Sequence, residues 1–480
     1  MGDVMKTMLV FPHQLYVQPR TNTRYLFIED SHFFDRGIPF HKHKLVLHRA
    51  SMKALYHSFE ADKAYFSYPV DKKALDAALK SASLIEAYDP VDHALTLSYD
   101  DYPITWLPSP NFLTAEDTFT DFFRSHKRYY MHDFYRFQRK RLGLLIDGDR
   151  PTGGKWSFDQ DNRQALPEGI AIPPPLCFDQ NPYLEEAKRF VDRHFPTHPG
   201  DTDTFNYPTT RAEAKQQLRF FLDHKFKRFG AYQDALSQGD AYLFHSNISS
   251  SLNTGLLAPD EVVQAALERD VPIASKEGFL RQIIGWREFI RALYVLEGPT
   301  MRLQNHLNHH ARLSHHWYHG AIGIPIVDST LAKLKRHAYA HHIERLMVLG
   351  NAMLLLNVHP DDVYRFFMAM HIDAYDWVMV PNIYGMSQFA AGPLMTTKPY
   401  FSGANYLRKM GVLGGDWEET WDALFYLFLK RHRAIINANP RLRMLLRHLD
   451  RKPKETLENY QTLRTLIHKK TLKEEENVCR

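Results

Sequence analysis

Two hydrophobic patterns follow one another along this chain, and their order limits the fold more than any single motif does. Over roughly the first 110–125 residues, short apolar runs alternate with helical patterns. Met8–Phe11 and Tyr25–Ile28 read as buried strands, and Lys42–His57 carries Leu45, Leu47, Met52 and Leu55 at helical spacing. Ala64–Tyr68 reads as a strand, Lys72–Ser81 as a helix and Ala94–Tyr99 as a strand. Such alternation predicts a Rossmann-like parallel α/β sheet, ending at Pro108 and Pro110. Asp147–Tyr183, with Gly153-Gly154 and Pro173-Pro174-Pro175, reads as a long surface connection. Beyond about Asn181 the pattern is helical: Tyr183–His194, Arg211–Phe229, Pro259–Arg269, Lys276–Leu296, Ser329–Leu356, Pro360–Met370 and Glu418–Ile436. The expected organisation is an α/β domain over 1–125, a connector over 126–200 and a large all-α domain over 201–480.

Composition bounds the function. Hydrophobic residues make up 44% of the 480 positions and charged residues 24%, which suits globular domains with room for a buried cofactor. The 31 Phe, 25 Tyr and 7 Trp suit stacking on flat ligands, although aromatics also simply fill cores. The formal charge of +5 is compatible with a phosphate-binding face without requiring one. With two cysteines, Cys177 and Cys479, neither a disulfide framework nor a four-cysteine metal site can form, so a reducing compartment is expected. There is no secretory pattern and no apolar run near membrane-spanning length, so the expectation is a cytoplasmic protein without a membrane partner. Gly148–Lys155 has the wrong glycine spacing for a phosphate loop, and Trp156 stands where Ser or Thr is needed. The six histidines between His306 and His319 lack a zinc-type pattern, so a solvated polar face is expected there and no metal.

Five stretches carry the chemistry. Arg228 to Tyr232 leads to His245-Ser246-Asn247-Ile248-Ser249-Ser250-Ser251, a run of hydroxyl and amide groups before Gly255 and Pro259. Such a run offers donors for a diphosphate without Lys or Arg. Phe279 to Phe289 is an amphipathic helix containing Gln282, Trp286, Arg287 and Glu288. Tyr339 to Met347 places His342, Arg345 and Leu346 on one helical face, with His341 beside them. Ile372 to Phe389 contains Asp373, Met379 and Met386, and Thr397 to Met410 contains Lys398, Tyr400, Tyr406 and Lys409.

At these residues the sequence resembles the photolyase/cryptochrome superfamily, within it the bacterial (6-4) photolyase branch. The resemblance runs from the first strand to about residue 425 and is densest between 225 and 410. It implies an N-terminal antenna-binding lobe and a helical lobe holding FAD. By similarity, Tyr232 and Ser246, Asn247, Ile248 and Ser249 hold the flavin phosphates and ribityl chain, Gln282 and Arg287 close the pocket, and Arg345 pairs with Asp373 beside the flavin ring. Relatives that repair (6-4) lesions carry a histidine where His342 stands, and those that repair cyclobutane dimers carry an asparagine. Reversing a (6-4) adduct moves a hydroxyl or amino group between bases and so calls for a proton donor, a task suited to imidazole. His342 is the expected catalytic residue, with His341 sharing or tuning the proton. Glu288, Leu346, Met386, Tyr400 and Tyr406 are the expected lesion contacts, the lesion being flipped out of UV-damaged DNA. Lys398, Arg408 and Lys409 are expected phosphate contacts. A monomer is expected.

The chain also departs from that family. Relatives bind an iron–sulfur cluster through four cysteines; here Gly414 and Trp417 occupy part of that spacing, so no cluster is expected and Trp417, Trp421, Leu424 and Phe425 should fill the space. Phe366-Phe367 replaces a redox-active Trp-Tyr pair, so photoreduction is expected to take another route, through Trp317 or Trp377, or to be slow. Met379 takes the place of the acidic residue facing the flavin N5. Pro12-His13-Gln14 replaces Gly-Asp-Gln after the first strand, which weakens the expectation of a 6,7-dimethyl-8-ribityllumazine antenna. A light sensor that binds FAD without repair, and repair of cyclobutane dimers, remain alternatives.

Overall fold

The computed structural model describes residues 5–126, 128–320, 322–411 and 414–473. Five short strands form the sheet of the N-terminal lobe: β1 (Lys6–Val10), β2 (Thr23–Ile28), β3 (Lys63–Phe66), β4 (Ile85–Tyr88) and β5 (Ile104–Leu107). All pair in parallel, in the order β3-β2-β1-β4-β5. The chain therefore runs outward from β1 to β3, then crosses back to the other side of β1. Leu9 pairs with Leu26 on one flank and Ala87 on the other. Met8, Leu9 and Val10 are all buried, as a central parallel strand covered on both faces requires. Helices Lys42–Ser58 and Lys72–Lys80 make the crossovers, and Asp71 caps the second by accepting from the backbone N–H groups of Lys73 and Ala74.

One element differs from the sequence reading. Ala94–Tyr99, expected as a strand, falls largely in helix His93–Leu97, because Asp92 accepts from the N–H groups of Ala94 and Leu95 and starts a helical turn. The two strands that the pattern concealed, β4 and β5, have only four residues each, with Glu86 and Thr105 among their apolar positions. That is too short for alternation to show.

Two helices stand within the stretch read as a connector, Met131–Leu142 and Pro182–His194. The second packs on helix Lys42–Ser58, where Arg49 reaches Glu29 at 2.6 Å and Glu186 at 2.7 Å. Beyond it the chain is helical. Pro360–Met370 has the expected bounds, whereas Ser329–Leu356 is broken at Ala338, whose φ of 51° ends helix Pro325–His337. Other long helices continue through wider π-helical turns at Phe221–Lys225, Arg281–Arg287, Glu344–Gly350 and Pro381–Ser387. Trp317, Trp417 and Trp421 are buried in the core of this lobe. No helix among the described residues is long and apolar enough to cross a membrane.

Candidate functional site

The π turns explain where the site lies. Three of the four, those carrying Arg287, Arg345 and Met386, open onto one cavity of about 660 Å³ inside the helical lobe. That volume is in the range of sites for cofactors and drug-sized ligands. A π turn adds a residue to a helical turn and widens the wall there, a device found repeatedly at functional sites.

Ser246, Asn247, Ile248 and Ser249 line one side of the cavity. Asn247 takes a left-handed φ of 54°, which its short amide side chain tolerates, and the turn leads directly into helix Ser249–Thr254. Gln282, Arg287 and Met379 line the cavity as well. Arg287 lies over the rings of Phe112 at 4.4 Å and Trp377 at 4.8 Å and donates from Nη2 to the Asn111 carbonyl at 3.0 Å. Its Nε and Nη1 are buried without a partner, and burial pulls the guanidinium down to about 10. Gln233 Oε1 and His245 Nε2, on the same walls, are also buried and unpaired. Buried polar atoms without partners are rare, and a group of them around a large cavity fits a polar, phosphate-bearing cofactor such as FAD.

Arg345 and Asp373 form a two-pronged pair in this wall, Nη1 to Oδ1 at 2.9 Å and Nη2 to Oδ2 at 3.1 Å. Arg345 Nε also donates to the Ala340 carbonyl at 2.6 Å, so the guanidinium plane is fixed on both edges. Burial alone would raise the Asp373 carboxyl, but the charge and hydrogen bonds of Arg345 hold it below the ordinary aspartate value.

Three imidazoles meet beside that pair. His342 is half exposed at the cavity wall, and its Nε2 is 2.9 Å from Asp234 Oδ1. His341 is buried with neither ring nitrogen hydrogen-bonded, and its ring stacks on His245 with centroids 4.9 Å apart and planes 12° apart. Burial, followed by the neighbouring His245, keeps the His341 ring well below the usual histidine range, so it is neutral at pH 7. The three residues bring ring nitrogens within 4.8 Å of one another, the composition of a metal site. In stacked rings, however, the in-plane lone pairs run parallel and do not converge on one ion, so His245 and His341 would have to turn before they could share one.

Leu346, Met386 and Tyr400 line the cavity as expected of lesion contacts. Tyr406 does not line it, but lies close enough to Asp234, Arg163 and Asp159 to feel their charge; burial first, then Asp234, pushes its hydroxyl up to about 12. Glu288 stands elsewhere. Its carboxylate is fully buried and accepts from the N–H groups of Leu113 at 3.2 Å and Thr114 at 2.9 Å, so it anchors a loop instead of facing a ligand. Tyr232 is also off the cavity, its ring 5.5 Å from Phe244, while the next two residues, Gln233 and Asp234, line the wall. Arg408 is engaged on the surface with Glu418 at 3.1 Å.

Sequence reasoning missed Ser157, Asp159 and Arg163, which reach the cavity from the connector. Asp159 pairs with Arg281 at 2.8 Å, and Arg163 stands between Asp159 and Asp234. Of the two tryptophans considered for photoreduction, Trp377 lines the cavity, whereas Trp317 lies against Phe366, with Nε1 donating to the Thr471 carbonyl at 2.9 Å. Trp417, Trp421, Leu424 and Phe425 are buried together as expected. In the histidine-rich stretch the expected solvated face is interrupted, since His309 is buried against His432 at 3.1 Å.

Residues 4–207 match the family model described as deoxyribodipyrimidine photo-lyase-related protein, and residues 279–411 that of the FAD binding domain of DNA photolyase. The chain is 36% identical over 346 residues to a (6-4) photolyase of Agrobacterium fabrum (strain C58 / ATCC 33970), covering 69% of this chain and 68% of that one. It belongs to the photolyase/cryptochrome superfamily, in the bacterial (6-4) branch. Two solved structures share the photolyase fold at low identity. A bacterial class III photolyase from Agrobacterium tumefaciens matches with TM-score 0.56 and 17% identity over 98% of each chain. An archaeal photolyase from Sulfolobus tokodaii, solved with two FAD molecules, matches with TM-score 0.56 and 12% identity over 96% of this chain and 100% of that one.

The N-terminal lobe of this photolyase-family chain is packed more tightly against its neighbour. In an open α/β sheet a ligand sits where the strand order reverses, here at the C-terminal ends of β1 and β4. The space left between the lobes beside that point is about 10 Å³ and is lined by Phe33, Lys44, Asp92 and Tyr375 among others. Pockets for small molecules start at roughly 300 Å³, and this gap is far smaller.

Proposed function

We propose that this chain repairs (6-4) pyrimidine–pyrimidone photoproducts in UV-damaged DNA, driven by light, with FAD in the cavity of the helical lobe. The carrying observation is the placement of His342: on the cavity wall, half exposed, held by Asp234, and one helical turn from the Arg345–Asp373 pair. FAD, when bound, supplies the photoexcited electron and accepts it back, so there is no net redox change. Ser246 to Ser249, Gln282, Arg287, Arg345, Asp373 and Met379 are the residues that hold it. Arg345 is placed to stabilise negative charge on the reduced ring.

The protein's own part is positioning and proton transfer. Leu346, Met386 and Tyr400 give an apolar floor on which flipped bases can lie, with Tyr406 at the edge. His342 donates the proton that the migrating hydroxyl or amino group requires, and Asp234 holds its ring at the wall. His341 stays neutral through burial and acts as a fixed ring behind the donor instead of a second acid. The reading includes a cytoplasmic monomer without an iron–sulfur cluster, because two cysteines fall short of the four ligands required.

The test is a repair assay on an oligonucleotide carrying one defined (6-4) lesion. Light-dependent restoration is expected from the wild-type chain and not from His342→Ala, with the flavin absorption of the two unchanged. Repair of a cyclobutane dimer that survives His342→Ala would favour that lesion instead, and flavin without repair of either lesion would favour a light sensor.

A further inference from the structure

The crevice at the strand-order reversal is shut by named contacts. His13, just beyond β1, bonds through Nε2 to the Pro90 carbonyl beyond β4 at 3.0 Å, and Gln14 Nε2 donates to the Tyr88 carbonyl at 2.8 Å. The loops that would part around a ligand are thus tied across it. Rings close the space above: His13 is 4.8 Å from Phe33 and 5.7 Å from Tyr375, and Phe33 is 5.5 Å from His48. His48 Nε2 is hydrogen-bonded to the Tyr375 hydroxyl at 2.8 Å.

The plug comes from both lobes, and what it touches is the flavin-site turn. Tyr375 lies two residues beyond Asp373. Lys44, from the same N-terminal helix as His48, donates to the carbonyls of Ala374 and of Met368, and its Nζ stands 4.5 Å from the Phe40 ring centre. Arg36 lies 3.6 Å from Asp376, whose carboxylate also takes the Tyr294 hydroxyl at 2.7 Å and the side chains of Arg302 and Tyr364. Every residue from Asp373 to Asp376 is therefore held through its side chain or carbonyl.

We infer that the N-terminal lobe of this chain carries no second chromophore: its ligand crevice has become a latch that fixes the turn bearing Asp373, and the flavin cavity alone collects light. This rests on the reading that FAD fills the cavity. The shape of the crevice, not the absence of a ligand, carries it: the rings of His13, Phe33, His48 and Tyr375 and the bonds from His13 and Gln14 fill the strand-order reversal, where a second chromophore would sit.

The experiment uses the full chain, produced in a host that makes lumazine, folate and flavin. Chromophores are extracted and counted, and the protein is titrated with 6,7-dimethyl-8-ribityllumazine while lumazine fluorescence is followed. One flavin per chain, no other chromophore and free lumazine throughout are expected, together with a photoreduction action spectrum that superimposes on flavin absorption. A lumazine, folate or second flavin near one per chain, or saturable lumazine binding, overturns the inference. A preparation without any flavin instead overturns the reading of the cavity. For the latch, His48→Ala should weaken FAD retention several-fold, and His48→Gln, which keeps a hydrogen-bonding group toward Tyr375, should restore most of it. Unchanged retention in His48→Ala, with the protein folded by circular dichroism, overturns the latch.

Discussion

The two lobes each present a place where their architecture favours a ligand, and they treat it in opposite ways. In the helical lobe, polar atoms of Arg287, Gln233 and His245 line about 660 Å³ without partners. In the α/β lobe, Nε2 of His13, Gln14 and His48 and Nζ of Lys44 reach carbonyls and a hydroxyl across the crevice, Nδ1 of His13 and His48 stays buried without a partner, and the gap beside Phe33, Lys44 and Tyr375 is about 10 Å³. The lesson is that architecture marks where a site can lie, while the room left there and the groups that bridge it decide what can enter. Buried groups that already satisfy one another gain nothing from a ligand.

The strongest way to break this contrast is to unpair the cavity. Asp373→Ala leaves the largely buried Arg345 without its carboxylate and with only the Ala340 carbonyl, a loss of about 3 kcal/mol, and flavin should be missing from the purified protein by absorption. Retention of a full flavin complement would show that the pair is only a helix–helix tie.

Acid should act on both regions together. Burial lowers His13 to about 4 and takes His48, His245 and His341 well below 6.5, so all four are neutral in the fold. Between pH 6.5 and about 4 the unfolded chain binds more protons than the folded one, so stability falls as pH falls through that window. The loss should reach on the order of 1 kcal/mol per pH unit for each such histidine, read as a falling denaturation midpoint, and His13→Asn should flatten it.

Opening the crevice should cost less. His48→Ala removes one buried hydrogen bond and part of a ring cluster, about 1–3 kcal/mol, measured by denaturant unfolding. A larger loss would mean that the two lobes fold only as one unit. At the small end, Arg408→Ala should shift stability by no more than about 0.5 kcal/mol, its ion pair with Glu418 being exposed.

Much of the cavity was legible because helix geometry is local. His342, Arg345 and Leu346 share a face by spacing alone, and all three line the wall. Glu288 failed because spacing does not show which neighbour a helix packs on: its side lies against the loop of Leu113 and Thr114, while Trp286 and Arg287 reach the cavity. The connector residues Asp159 and Arg163 were illegible because a Gly- and Pro-rich stretch carries no periodicity to say what it covers. The plug at the sheet edge was illegible for another reason. His13, His48 and Tyr375 are separated by hundreds of positions at most and by dozens at least, and only the fold brings their rings together. Ala94–Tyr99 was misread because a single aspartate cap outweighs a weak strand pattern.

The widened turns at Arg281–Arg287, Glu344–Gly350 and Pro381–Ser387 carry an evolutionary corollary. Each stores one surplus residue, so removing a single amino acid there would restore a regular helix, leave everything downstream facing as before, and draw in the wall groups of that turn. Length in these stretches therefore sets the width of the cavity: a point substitution exchanges one wall group for another, whereas a one-codon deletion would narrow the wall itself.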